Sequence, residues 1–86
     1  MYRVQLTRAA ARDLRGLPRG GQRRIDAAIM SLAEHPRPPG CVKLRGADDL
    51  YRVRVGDYRI VYQIEDEVLT VLVIRIGHRR DVYRGR

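Results

Sequence analysis

Cysteine occurs once in the 86-residue sequence, at Cys41, which excludes an internal disulfide and any multi-cysteine metal site. Tryptophan and phenylalanine are absent, so tyrosine supplies the aromatic surface, and recognition by rows of stacked bases is disfavoured. No apolar run approaches the roughly 18 residues that a membrane span requires. The longest, VLTVLVI at 68–74, has the length of a strand. The opening MYRVQLTR lacks the apolar centre of a secretory signal, so a cytoplasmic location away from membranes is expected. Lysine is nearly missing as well: Lys43 stands alone, and the other basic residues are arginines. Acidic charge is also short, since 18 Lys+Arg against 10 Asp+Glu leaves a net charge of +8. Such a balance favours an anionic partner, either nucleic acid or an acidic protein. A chain of 86 residues can build one core but not two, so residues 1–86 are expected to form a single domain.

What is present divides into three stretches. YRVQL at 2–6 alternates as a strand and runs into Thr7, a suitable N-cap for a helix through TRAAARDLRG, with Ala10, Leu14 and Leu17 on one stripe. Gly16 and Pro18 stop that helix, and Pro18 suits an early position of a second one. In the second, Ile25, Ala28, Ile29 and Leu32 follow the spacing of a buried face, and His35 and Pro36 end it. The short link predicts an antiparallel helical hairpin. PRPPGCVKLRGADD at 36–49 has no periodicity and reads as a loop. From Leu50 onward the period changes to two. With Gly56 and Asp57 as a two-residue turn, Val55 pairs with Tyr58, Val53 with Ile60 and Tyr51 with Tyr62, giving one apolar face. A third strand, Val68 to Ile76, follows an acidic turn and is apolar enough for a central position covered on both sides, with no register set by its pattern. The expected class is α+β: a short N-terminal strand, a helical hairpin, then a three-stranded antiparallel meander with the helices on one face.

The same register sets Arg54 directly across from Arg59, and Arg52 across from Val61, on the other face. Like charges so opposed cost about 0.2 to 1 kcal/mol. Either acids such as Asp57 relieve a solvated surface, or the guanidinium groups form an anion site that holds phosphate oxygens bidentately. IGHRRDVYRGR at 76–86 adds Gly77, His78, Arg79, Arg80 and Tyr83 where the apolar strand ends, and Gly77 permits a sharp exit that would lay these side chains over the sheet edge. His35 has no second ligand at a useful spacing, and Cys41 has no base near it in sequence, so both read as loop residues.

KLRG, then YRVRVGDYRIVYQI, then a strand, then GHRRDVY, in that order, resembles the RelE toxins of bacterial toxin–antitoxin pairs in the RelE/ParE superfamily, and the similarity covers nearly the whole chain. The resemblance implies a ribosome-dependent endoribonuclease that cuts mRNA without metal or other cofactor, and an acidic antitoxin that restrains it in an oligomer. By position it assigns Arg52 and Arg54 to the basic pair of the second strand, Arg59 to the third-strand arginine, Arg79 to the arginine after the glycine turn and Tyr83 to the tyrosine near the terminus. His78 fills a place that is basic or histidine in relatives. In the expected mechanism Arg59 and Arg79 grip the phosphate and Tyr83 or His78 moves protons, while Arg52, Arg54, Lys43, Arg45 and Arg80 bind RNA. The best-known branch has lysines where this chain has Arg52 and Arg54, and arginine cannot act as base or acid. A ParE-like inhibitor of DNA gyrase that cuts nothing is the alternative, and a plain RNA-binding module is a second.

Overall fold

The computed structural model describes residues 1–46 and 49–78. Along the chain come β1 (Arg3–Leu6), α1 (Arg8–Arg15), α2 (Arg19–Glu34), β2 (Val42–Lys43), β3 (Leu50–Val55), β4 (Tyr58–Glu65), a 3₁₀ turn (Asp66–Val68) and β5 (Thr70–His78). Each helix starts where its capping chemistry allows. Thr7 accepts the Ala10 N–H through its hydroxyl oxygen at 3.0 Å, as an N-cap should. Pro18 lies one residue outside α2, as its N-cap with ψ 156, and not within the first turn as its sequence position suggested.

The expected meander is present as β3, β4 and β5, and two further strands widen it to a five-stranded sheet of order β1-β5-β4-β3-β2. β1 lies parallel to β5, and β2 lies antiparallel to β3. β2 falls inside 36–49, the stretch that reads as loop, because a two-residue edge ladder leaves no period in the sequence. β5 begins two residues later than expected, since Asp66–Val68 form the 3₁₀ turn and Leu69 turns the chain at φ 49.

Both helices pack on one face. Ala10 of α1 and Ile25, Ile29 and Leu32 of α2 meet Ile60, Tyr62 and Ile64 of β4 and Val71, Val73 and Ile76 of β5. β5 lies between two strands, as its apolar content suggested, but helices cover only its inner face; Leu72 and Ile74 remain half-buried. One irregularity governs the sheet's far end. β4 and β5 pair Tyr62 with Val73 but Val61 with Arg75, so Ile74 is an extra residue, a β-bulge. Strict alternation from Val73 would aim Arg75 into the core, whereas the bulge places Ile76 there, 2% exposed. Thr7 secures this point: its hydroxyl donates to the Ile74 carbonyl at 2.8 Å and its N–H to the Val73 carbonyl at 2.9 Å.

Candidate nucleic-acid interface

The β3–β4 hairpin is built as its sequence predicts. Gly56 has φ 60 while Asp57 stays out of the positive-φ region, which describes a type II′ turn. The register that follows pairs Val55 with Tyr58, Arg54 with Arg59, Val53 with Ile60, Arg52 with Val61 and Tyr51 with Tyr62. Because Ile60 and Tyr62 face the helices, Arg52, Arg54 and Arg59 all project from the opposite face. Side chains so opposed have Cβ atoms about 4.5–5.5 Å apart.

Among the described residues these arginines share a depression of ≈310 Å³ with Gly40 and Val42, so its described lining holds three cations and no carboxylate. Arg54 is exposed, whereas Arg52 and Arg59 are half-buried, with Nε of each and Nη1 of Arg52 shielded from solvent. Ion pairs between described residues join Arg37 to Asp66 and Arg75 to Asp13, so they lie elsewhere. The arrangement is thus a rigid cationic patch on hydrogen-bonded strands, able to hold the oxygens of a phosphodiester.

Other residues expected at this site are distributed differently. His78 pairs with Tyr58, and Gly77 with Arg59, so the bulge turns His78 toward the helix face, away from the arginines. There its ring meets Tyr58 edge-on at 6.0 Å, in a separate cleft of ≈560 Å³ that Arg12, Leu17 and Arg75 also line. Lys43 pairs with Tyr51, which likewise assigns it to the helix side, and Arg45 is exposed in the turn after β2. Arg79, Arg80 and Tyr83 lie outside the described residues. Gly40 and Val42 line the depression although sequence reasoning passed over them. Gly40 could have been found as a turn glycine after two prolines, whereas nothing in the sequence marks Val42.

Away from the patch, a polar cluster ties the segment after α2 to the 3₁₀ turn. Arg37 donates to Asp66 Oδ2 at 2.8 Å and to the Tyr51 hydroxyl at 3.2 Å, and Tyr2 donates to Asp66 Oδ1 at 2.6 Å. The Arg37 guanidinium, followed by the Tyr2 hydroxyl, holds the Asp66 carboxyl below its usual range. Tyr62, fully buried, donates to the Pro36 carbonyl at 2.8 Å. Burial first, then the neighbouring Cys41, raises its phenol well above the ordinary tyrosine value. Cys41 thus packs beside Tyr62, and His35 is the C-cap of α2; both are loop residues. Among the described residues no group of three or more His, Cys, Asp or Glu is arranged to hold a metal ion, and no helix is long and apolar enough to cross a membrane.

Comparison with known proteins adds four findings. Residues 4–83 match the family described as ParE toxin of type II toxin-antitoxin system, parDE. The chain is 38% identical to Toxin RelG of Mycobacterium tuberculosis, over 96% of this chain and 97% of that protein. It is 31% identical to the mRNA interferase toxin RelE of Escherichia coli, over 91% of this chain and 83% of that one. Its fold superposes on a chain of the archaeal RelE-RelB complex from Pyrococcus horikoshii with a TM-score of 0.81, at 30% identity over 91% of this chain and 94% of the other.

Proposed function

Because the chain belongs to the ParE toxin family of type II toxin–antitoxin systems and is a toxin of the RelE type, we propose that it cuts mRNA on the ribosome through attack of a ribose 2′-hydroxyl on the adjacent phosphorus. One observation carries this reading: Arg52, Arg54 and Arg59 stand together on the sheet face opposite the helices, lining one depression with no acid among its described lining residues. Opposing Arg54 to Arg59 costs stability, and a bound polyanion would offset that cost.

In the proposed reaction the 2′-oxygen bonds to phosphorus, its proton is removed, and the 5′-oxygen leaves after gaining one, so the products are a 2′,3′-cyclic phosphate and a 5′-hydroxyl end. Guanidinium groups suit the charge that grows on the phosphorane and the leaving oxygen. Arg59, seated in the sheet, grips the scissile phosphate together with Arg79, while Arg52 and Arg54 hold the flanking backbone. Tyr83 is assigned the proton transfers, and His78 is removed from them because its strand position points it to the other face. Lys43 and Arg45 add to long-range attraction, as does Arg80. Arg79, Arg80 and Tyr83 enter this reading through the family resemblance alone. Orientation of a bent mRNA by the ribosome would supply much of the rate.

The same basic face suits an acidic antitoxin, and a relative of this fold is found in a RelE-RelB complex. In this reading an acidic partner segment occupies the depression and keeps RNA out. The test is cleavage of mRNA by purified protein with and without ribosomes, in excess chelator, with the product ends identified chemically. Ribosome-dependent cuts bearing cyclic or 3′-phosphate, lost in Arg59→Ala and restored toward wild type by no lysine substitution at 59, would support the reading. Intact mRNA together with inhibited supercoiling by gyrase would replace it with the second reading, which the match to the ParE family model favours.

A further inference from the structure

A phosphate site needs only cations, yet the arginine depression is not lined by cations alone. Val42 forms part of its wall, on the edge strand β2, and is paired with Arg52, so its side chain projects from the arginine face. It is 43% exposed. A single exposed valine on a protein surface means little by itself. This one is set among three arginines, where a solvated surface would more readily carry a polar residue. Gly40, on the same wall, adopts φ 89, a conformation that side-chain-bearing residues rarely take, and a Cβ added there would meet nothing within 4 Å. The glycine is therefore required by the backbone and not by packing. Its consequence is that Gly40 itself puts no side chain over the depression beside Val42.

A cationic floor with one aliphatic wall matches the two halves of a nucleotide, an anionic phosphate and an apolar ring face. We propose that Val42 and the backbone at Gly40 form a subsite for the ribonucleotide base next to the phosphate held by Arg52, Arg54 and Arg59, and that Val42 is a specificity-determining residue for cleavage. This rests on the RNA-cutting function proposed above. The contact is apolar and one-sided, so it discriminates by ring size and stacking face and not by hydrogen-bonding pattern. Purines, with the larger face, are preferred there.

The experiment is a double-mutant cycle on binding. Fluorescein-labelled oligoribonucleotides, one fully based and a set with a single abasic ribose moved along the strand, are titrated by anisotropy with wild type and with Val42→Thr, which keeps the β-branched shape of an edge-strand residue. Wild type is expected to lose about three- to tenfold in affinity when the abasic site reaches one position, the range expected for burying a small apolar contact. Val42→Thr is expected to lose a similar factor on the fully based strand and nothing more when the same base is removed, while its salt dependence stays that of wild type. Ribosomal cut-site maps of the variant should also lose their purine bias at that position. Affinities that fall additively, or a variant that binds every oligomer as wild type does, would overturn the subsite while leaving the nuclease reading intact. A wild type that binds none of the oligomers and cuts no mRNA removes the nuclease reading, and the subsite with it.

Discussion

Charge reversal at Arg54 should stabilise the protein while disabling it. Arg54 is exposed and directly opposed to Arg59 across β3 and β4. Like charges at opposed positions cost roughly 0.2–1 kcal/mol, and opposite charges are favourable by a similar amount. Arg54→Glu replaces the first situation by the second, so both contributions have the same sign. Glutamate's weaker strand preference takes back about a few tenths of a kcal/mol, leaving a net gain of about 1 kcal/mol. For a chain of this size that raises Tm by about 4–8 °C in low salt. In about 1 M salt the screening length falls to about 3 Å, so most of the difference should vanish. Arg54→Thr removes the repulsion without adding attraction and should gain about half as much. RNA binding moves the other way: loss of one phosphate contact flattens the dependence of log affinity on log salt by about 0.7 for a single strand. The assays are thermal melts at two salt concentrations, anisotropy with single-stranded RNA, and growth arrest on induction. A Tm for Arg54→Glu equal to or below that of wild type in low salt refutes the electrostatic argument. Full growth arrest by the variant refutes the assignment of this face to RNA.

Thr7→Ala removes both the cap of α1 and the hydroxyl that holds the Ile74 carbonyl at the bulge, so a loss of about 2 kcal/mol is expected in urea denaturation, with Thr7→Val equally affected because the hydroxyl is what both lack. Tyr62 is held neutral by burial, and its folded pKa lies above the unfolded value of about 10, so the stability it contributes is complete below about pH 10 and declines as pH rises through the folded value. Melting temperatures measured from pH 8 upward should fall above about pH 10, and Tyr62→Phe should flatten that fall. Gly21→Val forces a side chain against the Tyr58 ring, since even a Cβ would lie 2.7 Å from its hydroxyl; a destabilisation of about 1–3 kcal/mol by denaturant melt is expected. Asp66 has the opposite linkage to Tyr62: its folded pKa is depressed by Arg37, so its contribution is present above the unfolded carboxylate value and is lost as pH falls through the folded one. The effect should be small and salt-sensitive, because the pair is exposed, and absent in Asp66→Asn.

Local rules carried much of the fold. The Thr7 cap, the α2 stripe of Ile25, Ala28, Ile29 and Leu32, and the Gly56-Asp57 turn each act within a few residues, and each is legible in the chain as written. The turn mattered most, because a two-residue hairpin leaves no freedom in register, and so the pairing of Arg54 with Arg59 follows from the sequence alone. β2 escaped notice because two residues cannot display a period, and Val42 escaped with it, since nothing about one valine in a loop tells which wall it will join.

From its residues alone this chain determined two helices, a hairpin, an arginine-bearing face and a surplus of positive charge, all of them consequences of short-range preferences and residue counts. Tertiary structure decided what depends on distant partners: β1 beside β5, β2 beside β3, and above all the extra residue at Ile74. A side-chain alternation of period two carries no memory of a bulge. Whether Arg75 or Ile76 enters the core, and therefore whether His78 sits with the arginines or behind them, is settled by the packing of β5 against the helices and by the Thr7 hydroxyl on its carbonyl.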